Sequence, residues 1–412
     1  MPPRFLQIHT LTAYPAALLN RDDAGFAKRI TFGGEPRTRI SSQCLKRHWR
    51  TFEGEGSLKE LDAPESIRSR HTFDREILNP LLKEGVDAEL ARAVVQALMV
   101  EVLGESAKAK KEKAEKASAD DDDATGPLAT GQVTVLGRPE VDFLLAEARA
   151  ICAEAPGAKD PKKAAAAVKA RLGKDGRLNL QTLRMAAGLD AALFGRMVTS
   201  DRLSRGDAAV HVAHAFTVHR GEFEDDYFSA VDDLLKEQDD ELGSGHIGTT
   251  ELTSGLYYGY IVVDLPLLVS NIEGVERARW READPSLSGQ VIERLIQIIA
   301  TVSPGAKLGS TAPYAYSHLV MVEAGDAQPR TLANAFLRAV PERPDLVANT
   351  YEALGRYVQE LDLMYGIRTE RRLSAIGSDG LGEAIGAGAP VSLADLAAWA
   401  RSRLQEEAVW TS

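Results

Sequence analysis

Cysteine is scarce in this chain of 412 residues, which holds only Cys44 and Cys152. Two thiols cannot build a disulfide framework or a cysteine-rich zinc site, and their scarcity suits a reducing compartment. No run of about 18 apolar residues occurs, which argues against a membrane-spanning helix. The opening residues Met1-Pro2-Pro3-Arg4-Phe5 lack an extended apolar stretch, so no secretory signal is expected and a cytoplasmic location is. The glycine-lysine-serine spacing of a P-loop is missing, which removes that route to phosphate binding. Internal repeats are absent, so a solenoid is excluded. What remains is a chain with ordinary apolar content, long enough for two or three domains or one core with large insertions.

A formal net charge of −11 argues at first against nucleic acid, but the charge is unevenly distributed. Residues 1–52 hold nine Lys or Arg against Asp22, Asp23 and Glu35, a balance of +6, so the remainder carries −17. One basic surface on an otherwise acidic body is the reading, and binding through it should weaken with salt.

The basic surface centres on residues 37–50. Arg37 to Ser41 alternates long polar with apolar or small residues and predicts a short strand. Ser41 or Ser42 then serves as an N-cap, and a helix follows. At ~100° per residue, Gln43, Lys46, Arg47 and Arg50 share one face, while Leu45, Trp49 and Phe52 share the opposite one. A helix N-terminus attracts anions, and here cations line the face beside it. Arg37 and Arg39 lie just upstream, and no carboxylate falls between Glu35 and Glu53. This pattern predicts a phosphate-binding surface rather than an ordinary solvated face.

Around it, Phe5 to Leu11 predicts a core strand ended by Tyr14-Pro15. A polar loop follows from Asn20 to Gly33-Gly34, whose glycines permit either close approach to a ligand or a plain turn. From about Thr51 to Asp190 the pattern is helical, clearest over Asp87–Leu103, Val141–Ala153 and Pro161–Leu172. Residues 104–131 are low-complexity, with an aspartate run at 120–123. Ala208 to His219 predicts a central strand, on which His211 and His214 would point to opposite faces and could not share a metal. Residues 220–254 form an acidic excursion too long for an ordinary connection. Leu256–Leu265 predicts a strand, Gly289–Thr301 a helix and Leu319–Val322 a last strand. Helices are expected at Thr331–Ala339, Leu346–Leu361 and Leu393–Leu404. With the insertions removed, the order is βαββαβ, the ferredoxin-like order also used by RRM domains, although the aromatic RNP signature is absent.

The run Asn20-Arg21-Asp22-Asp23, then Gly33-Gly34, then Arg39-Ile40-Ser41-Ser42-Gln43 with Leu45-Lys46-Arg47 resembles the CasC family. These are the backbone subunits of the type I-E CRISPR surveillance complex, Cascade. Echoes follow in family order at Gly195-Arg196-Met197, Ala230-Val231-Asp232-Asp233-Leu234, His246-Ile247-Gly248-Thr249 and Pro304-Gly305-Ala306-Lys307. The resemblance implies an α+β protein with a modified RRM or ferredoxin-like palm, a helical fingers insertion and a β-hairpin thumb. The palm would take residues 1–52, 191–219 and 256–412 with the C-terminal helices; the fingers would take 53–190, with the 104–131 insertion; the thumb would take 220–255.

It also implies a non-catalytic subunit that oligomerises along a guide RNA and positions it for pairing with target DNA in antiviral defence. The implied partners are CRISPR guide RNA, target DNA through the guide, further copies of the chain, and the large, small, 5′-end and guide-processing Cascade subunits. Guide contacts carry over to Arg21, Lys28, Ser41, Gln43, Lys46 and Arg50, with Met197, Phe228 and Ile247 as apolar wedges between bases. No cofactor, metal or catalytic residue is expected. The competing reading is a metal-dependent ribonuclease using Asp22 or Asp23, against which a salt-bridged turn with Arg21 is the simpler use of those carboxylates. A guide-processing endonuclease would need His48, which the helical wheel puts nearer the apolar side.

Overall fold

The computed structural model describes residues 2–103, 128–130, 132–173, 185, 187–196, 207–231, 244–306, 311–378 and 380–405, with backbone alone at 228–231 and 244–248. The chain divides into two compact units, one of residues 1–60, 211–265 and 289–412, the other of 61–210 and 266–288. Residues 266–288 thus belong to the second unit.

The first unit is built on an antiparallel sheet. Its strands are β1 (Phe5–Ala17), β2 (Arg29–Phe32) and β3 (Glu35–Ile40), with two-stranded β4 (Ser66–Ser69) and β5 (Thr134–Gly137) belonging to the second unit. Then come β6 (Val210–Val212), β7 (Ala215–Thr217), β8 (Glu222–Val231), β9 (Ser244–Asp264), β10 (Leu319–Gly325) and β11 (Glu370–Ala375). The spatial order is β11-β10-β1-β9-β7-β3-β2, and β6 and β8 also pair with β9.

Strand β1 is central, so both of its faces are buried. Leu6 and Ile8 point one way, beside Ile261 and Val263 of β9 and Val320 and Val322 of β10, all essentially inaccessible. Gln7, His9 and Leu11 point the other way. There Leu11 joins Tyr258, Met321, Phe336, Leu354, Val358 and Leu373 in one apolar cluster. The polar members of that face are paired rather than exposed, as buried polar groups must be. His9 Nδ1 meets the Tyr258 hydroxyl at 2.9 Å and Nε2 meets Glu323 at 3.1 Å. Arg330 and Arg371 donate to the same Glu323 carboxylate, and Arg371 also pairs with Asp362.

The helices are α1 (Ser42–Thr51), α2 (Asn79–Lys83), α3 (Ala88–Leu103), α4 (Arg138–Glu154), α5 (Pro161–Arg171), α6 (Leu189–Phe194), α7 (Leu265–Glu273), α8 (Ser286–Thr301), α9 (Leu346–Tyr365), α10 (Leu381–Ala384) and α11 (Leu393–Gln405). In the second unit α3 and α4 build a core from Val94, Leu98, Leu144 and Ile151, joined by Phe73 and Ile77 from a π-helical turn. Arg196, from the Gly195-Arg196-Met197 motif, is sealed in that unit. It holds Glu140 with two bonds of 2.6 and 2.7 Å, and both side chains are inaccessible.

Several expectations change. Strand β1 does not stop at Tyr14-Pro15; it continues to Ala17 through an irregularity, a position where a residue without an N–H is tolerated. The loop after Asn20 contains the β2–β3 hairpin, with Gly33-Gly34 as its two-residue turn at φ values of +63° and +83°. The long strand expected over 208–219 is two short ones, β6 and β7. Over the acidic excursion, where the resemblance implied a β-hairpin, β8 does pair antiparallel with β9, from Glu222↔Ser254 to Val231↔Ser244. Residues 331–339 form only a short 3₁₀ turn, Ala333–Phe336. The Phe336 carbonyl there is taken by Arg37 at 3.1 Å, and Leu332 N–H donates to Tyr258 at 3.0 Å. Those long-range bonds replace the next helical ones. Strand β11 went unanticipated because its exposed edge reads as charged rather than apolar.

Candidate nucleic-acid interface

Helix α1 starts where its sequence says it should. Ser41 is the cap, accepting from the Cys44 N–H at 3.3 Å, and its own N–H donates to Asn20 Oδ1 at 2.9 Å. The first-turn amides have no partner within the helix, and no acidic side chain stands among them. Leu45 and Trp49 are buried, so the basic face turns outward.

A cleft of about 650 Å³ opens at this helix end. Arg21, Ser41 and Gln43 line it, together with Arg47, Ser303, Gly305, Pro313 and Tyr314. His48 fixes one wall. Its Nδ1 donates to the Cys44 carbonyl at 2.8 Å, so Nε2 is left to accept from the Gly305 N–H at 3.3 Å. That bond ties the Pro304-Gly305-Ala306 loop to α1. Burial pushes the Cys44 thiol up to about 11 in spite of Arg47 and Lys28, so it stays protonated and is a poor nucleophile at neutral pH.

A second cleft, about 470 Å³, is lined by Lys28, Arg29 and Arg39 with Asp22, Asp225 and Glu251. Arg29 is engaged by Glu251 and lies 3.6 Å over the Phe223 ring, and Lys28 and Arg39 share the lining with Asp22 and Asp225, so the cations of this cleft are matched by carboxylates. Arg39 donates to His214 Nδ1 at 3.0 Å; burial, then Arg39 and Lys28, push His214 down from its ordinary value. Asp225 and Glu251 face each other across the β8–β9 hairpin at its base.

Of the residues singled out from sequence, Arg21, Ser41 and Gln43 meet in the first cleft and Lys28 lines the second. Lys46 and Arg50 are half-buried on α1 and line neither. The reason is the helical step: the cleft wall is the sector of α1 that carries Gln43, Cys44, Arg47, His48 and Thr51, and Lys46 and Arg50 lie just past its Gln43 edge on the same basic face. Phe228 and Ile247 lie on the hairpin strands, opposite Gly248 and Ser229, with side chains outside the described residues. Met197 also lies outside them.

Arg37 is a correction. It is wholly buried, donating to the carbonyls of Thr217, His219 and Phe336 at 3.0 to 3.1 Å, so it braces the fold and offers nothing to a ligand. The glycine pair is another. A Cβ at Gly33 would lie 1.5 Å from the Leu337 carbonyl oxygen, so the close approach is to the protein itself. Asp22 has a local use: its Oδ1 accepts from Ala24 and Phe26 N–H at 3.0 Å each, organising the loop. His211 and His214 are exposed and His219 is buried, and among the described residues no group of three or more His, Cys, Asp or Glu could hold a metal ion. Arg47 and Tyr314 are wall residues that sequence reasoning did not select. The helical wheel already carried Arg47 on the basic face; nothing in sequence pointed to Tyr314.

The first cleft therefore offers positive charge from Arg21 and Arg47, with no carboxylate in its lining, beside the first-turn amides of a helix N-terminus, which suits a polyanion held by its phosphates; the second has equal numbers of cations and carboxylates. Among the described residues no helix is long and apolar enough to cross a membrane. None of the curated proteins compared with the chain matches it. Solved structures do, among them the following two. One, titled "CRISPR RNA-guided surveillance complex, pre-nicking", contains a chain 25% identical with a TM-score of 0.74, aligned over 97% of this chain and 100% of that one. A chain of another, titled "CRISPR RNA-guided surveillance complex", is 22% identical with a TM-score of 0.66, over 97% and 99%, and shares the fold. The pattern that defines the CT1975-like proteins matches residues 6–399, nearly the whole length, and the chain belongs to that CRISPR-associated family.

Proposed function

We propose that this protein is the guide-RNA-binding backbone subunit of a Cascade-type complex, of the type I-E CasC kind, working in the cytoplasm without catalysing a reaction. Copies would assemble along one CRISPR RNA, hold its sugar-phosphate chain, and leave its bases free to pair with target DNA. The observation that carries this reading is the cleft where Arg21, Ser41, Gln43 and Arg47 converge on the N-terminus of α1. It sits in a chain that aligns end to end with a chain of a CRISPR RNA-guided surveillance complex.

The sheet supports an RRM-like palm. Taking β1, β7, β9 and β10 in sequence order, their spatial order is fourth, first, third, second, all antiparallel, which is the ferredoxin-like arrangement. The β8–β9 hairpin is the candidate thumb, and the helical unit with core residues from α3 and α4 is the candidate fingers. Other Cascade subunits would be its further partners. The alternative is a ribonuclease at Asp22 or Asp23; against it, Asp22 Oδ1 is used by two backbone amides to organise its own loop.

The test is binding of the purified chain to two unrelated single-stranded RNAs of guide length across a salt series. Similar affinity for both is expected. In Arg21→Ala/Arg47→Ala protein, affinity should fall and the slope of log K against log salt should shrink by roughly 0.7 for each phosphate the variant no longer neutralises. Cleavage of the RNA by the wild type, or a strong preference for one sequence, would overturn the reading.

A further inference from the structure

The first cleft contains one group that phosphate binding does not use. Tyr314 lines it and is 77% exposed, so its ring face is open to a ligand entering the cleft. Its hydroxyl has no partner among the described residues. The backbone beneath is held in place rather than loose. Tyr314 N–H donates to the Ala312 carbonyl at 2.7 Å. The next residue, Ala315, is clamped in both directions by Ser303, whose hydroxyl donates to the Ala315 carbonyl and accepts the Ala315 N–H, each at 2.9 Å. Ser317 N–H donates to Ala300 and His318 N–H to Leu11, fastening the segment to the end of α8 and to β1. An exposed ring on a fastened backbone is pre-organised for a flat ligand.

We propose that Tyr314 is a stacking platform for one nucleobase of the bound RNA strand, with the adjoining phosphate held by Arg21 and Arg47. Every base has a π-face, so stacking adds affinity without reading sequence, which matches a surface that must accept any guide. The cleft volume of about 650 Å³ lies within the range of sites that enclose a single small molecule. Tyr316, 73% exposed but absent from the cleft wall, provides an internal control.

The inference rests on the RNA-binding reading above, and the experiment separates the two. The full chain and its Tyr314→Ala, Tyr314→Phe and Tyr316→Ala variants are titrated with single-stranded RNAs carrying 2-aminopurine, at two salt concentrations. Tyr314→Ala should lose roughly fivefold to a hundredfold in affinity with an unchanged salt slope, and should lose part of the 2-aminopurine quenching. Tyr314→Phe and Tyr316→Ala should behave as the wild type. If the wild type binds RNA and Tyr314→Ala binds equally well, the platform is refuted while the RNA-binding role stands. An equal loss in Tyr316→Ala would also refute it, since the effect would not belong to the cleft. If the wild type binds no RNA, both fall together.

Discussion

Arg37 and Arg47 belong to one basic stretch and end in opposite surroundings. Arg37 is sealed against three carbonyls, of Thr217 at the end of β7, of His219 two residues on, and of Phe336 in the 333–336 turn; Arg47 stands exposed on the cleft wall. Deleting the first leaves buried acceptors unpaired, and deleting the second removes only surface charge. Arg37→Ala should therefore destabilise the protein by roughly 3 kcal/mol. Its RNA affinity per folded molecule and its salt slope should stay those of the wild type. Urea melts alongside binding titrations check this, and a reduced salt slope in Arg37→Ala would contradict the assignment.

At the scale of elements, the β2–β3 hairpin carries Lys28, Arg29 and Arg39 to the second cleft, and its turn depends on two glycines that are not equivalent. Both have positive φ, which costs any side chain about 1 kcal/mol. Gly33 also abuts the Leu337 carbonyl, while nothing lies within 4 Å of a Cβ at Gly34. Gly33→Ala should lose several times more stability than Gly34→Ala, read as the difference in urea midpoints. Equal losses would mean that the turn can lift away from Leu337 freely. The same packing explains why the 331–339 helix expected from periodicity is only a turn: its carbonyls are committed to Arg37 on one side and packed on Gly33 on the other.

Across the molecule, the main acid-sensitive feature is the network that joins β1, β10, β11 and α9 through Glu323. Burial alone would raise this carboxyl, but the hydrogen bond and charge offered by His9, with Arg371 and Arg330, outweigh it and hold the group far below its ordinary value. A carboxyl depressed on folding contributes stability that is complete above its unfolded value of 4.5 and is lost as pH falls below it. Between about pH 5 and about pH 3, the wild type should lose stability more steeply than Glu323→Gln, which is less stable at neutral pH but lacks this titration. Urea midpoints across that range give the comparison. Parallel curves would show that the acid limb comes from other carboxylates.

Much of this was legible from residues alone. Periodicity located the strand cores of β1, β9 and β10 and the helices α3, α4, α8, α9 and α11, because the alternation of apolar residues records which face is buried. The Ser41 cap and the outward basic face of α1 were equally local, set by neighbours within one or two turns. Arg21, Ser41 and Gln43 were named from the stretch that carries the family resemblance, and they do share a cleft. What the tertiary structure alone decided is which cations face solvent, where the charged edge strand β11 pairs, and that Tyr314 lines the same cleft as Arg47. Those outcomes depend on partners far away in sequence, such as Phe336 for Arg37 and Gly305 for His48. A guanidinium looks the same in sequence whether it will meet a carbonyl or a phosphate; only the chain folded around it determines which.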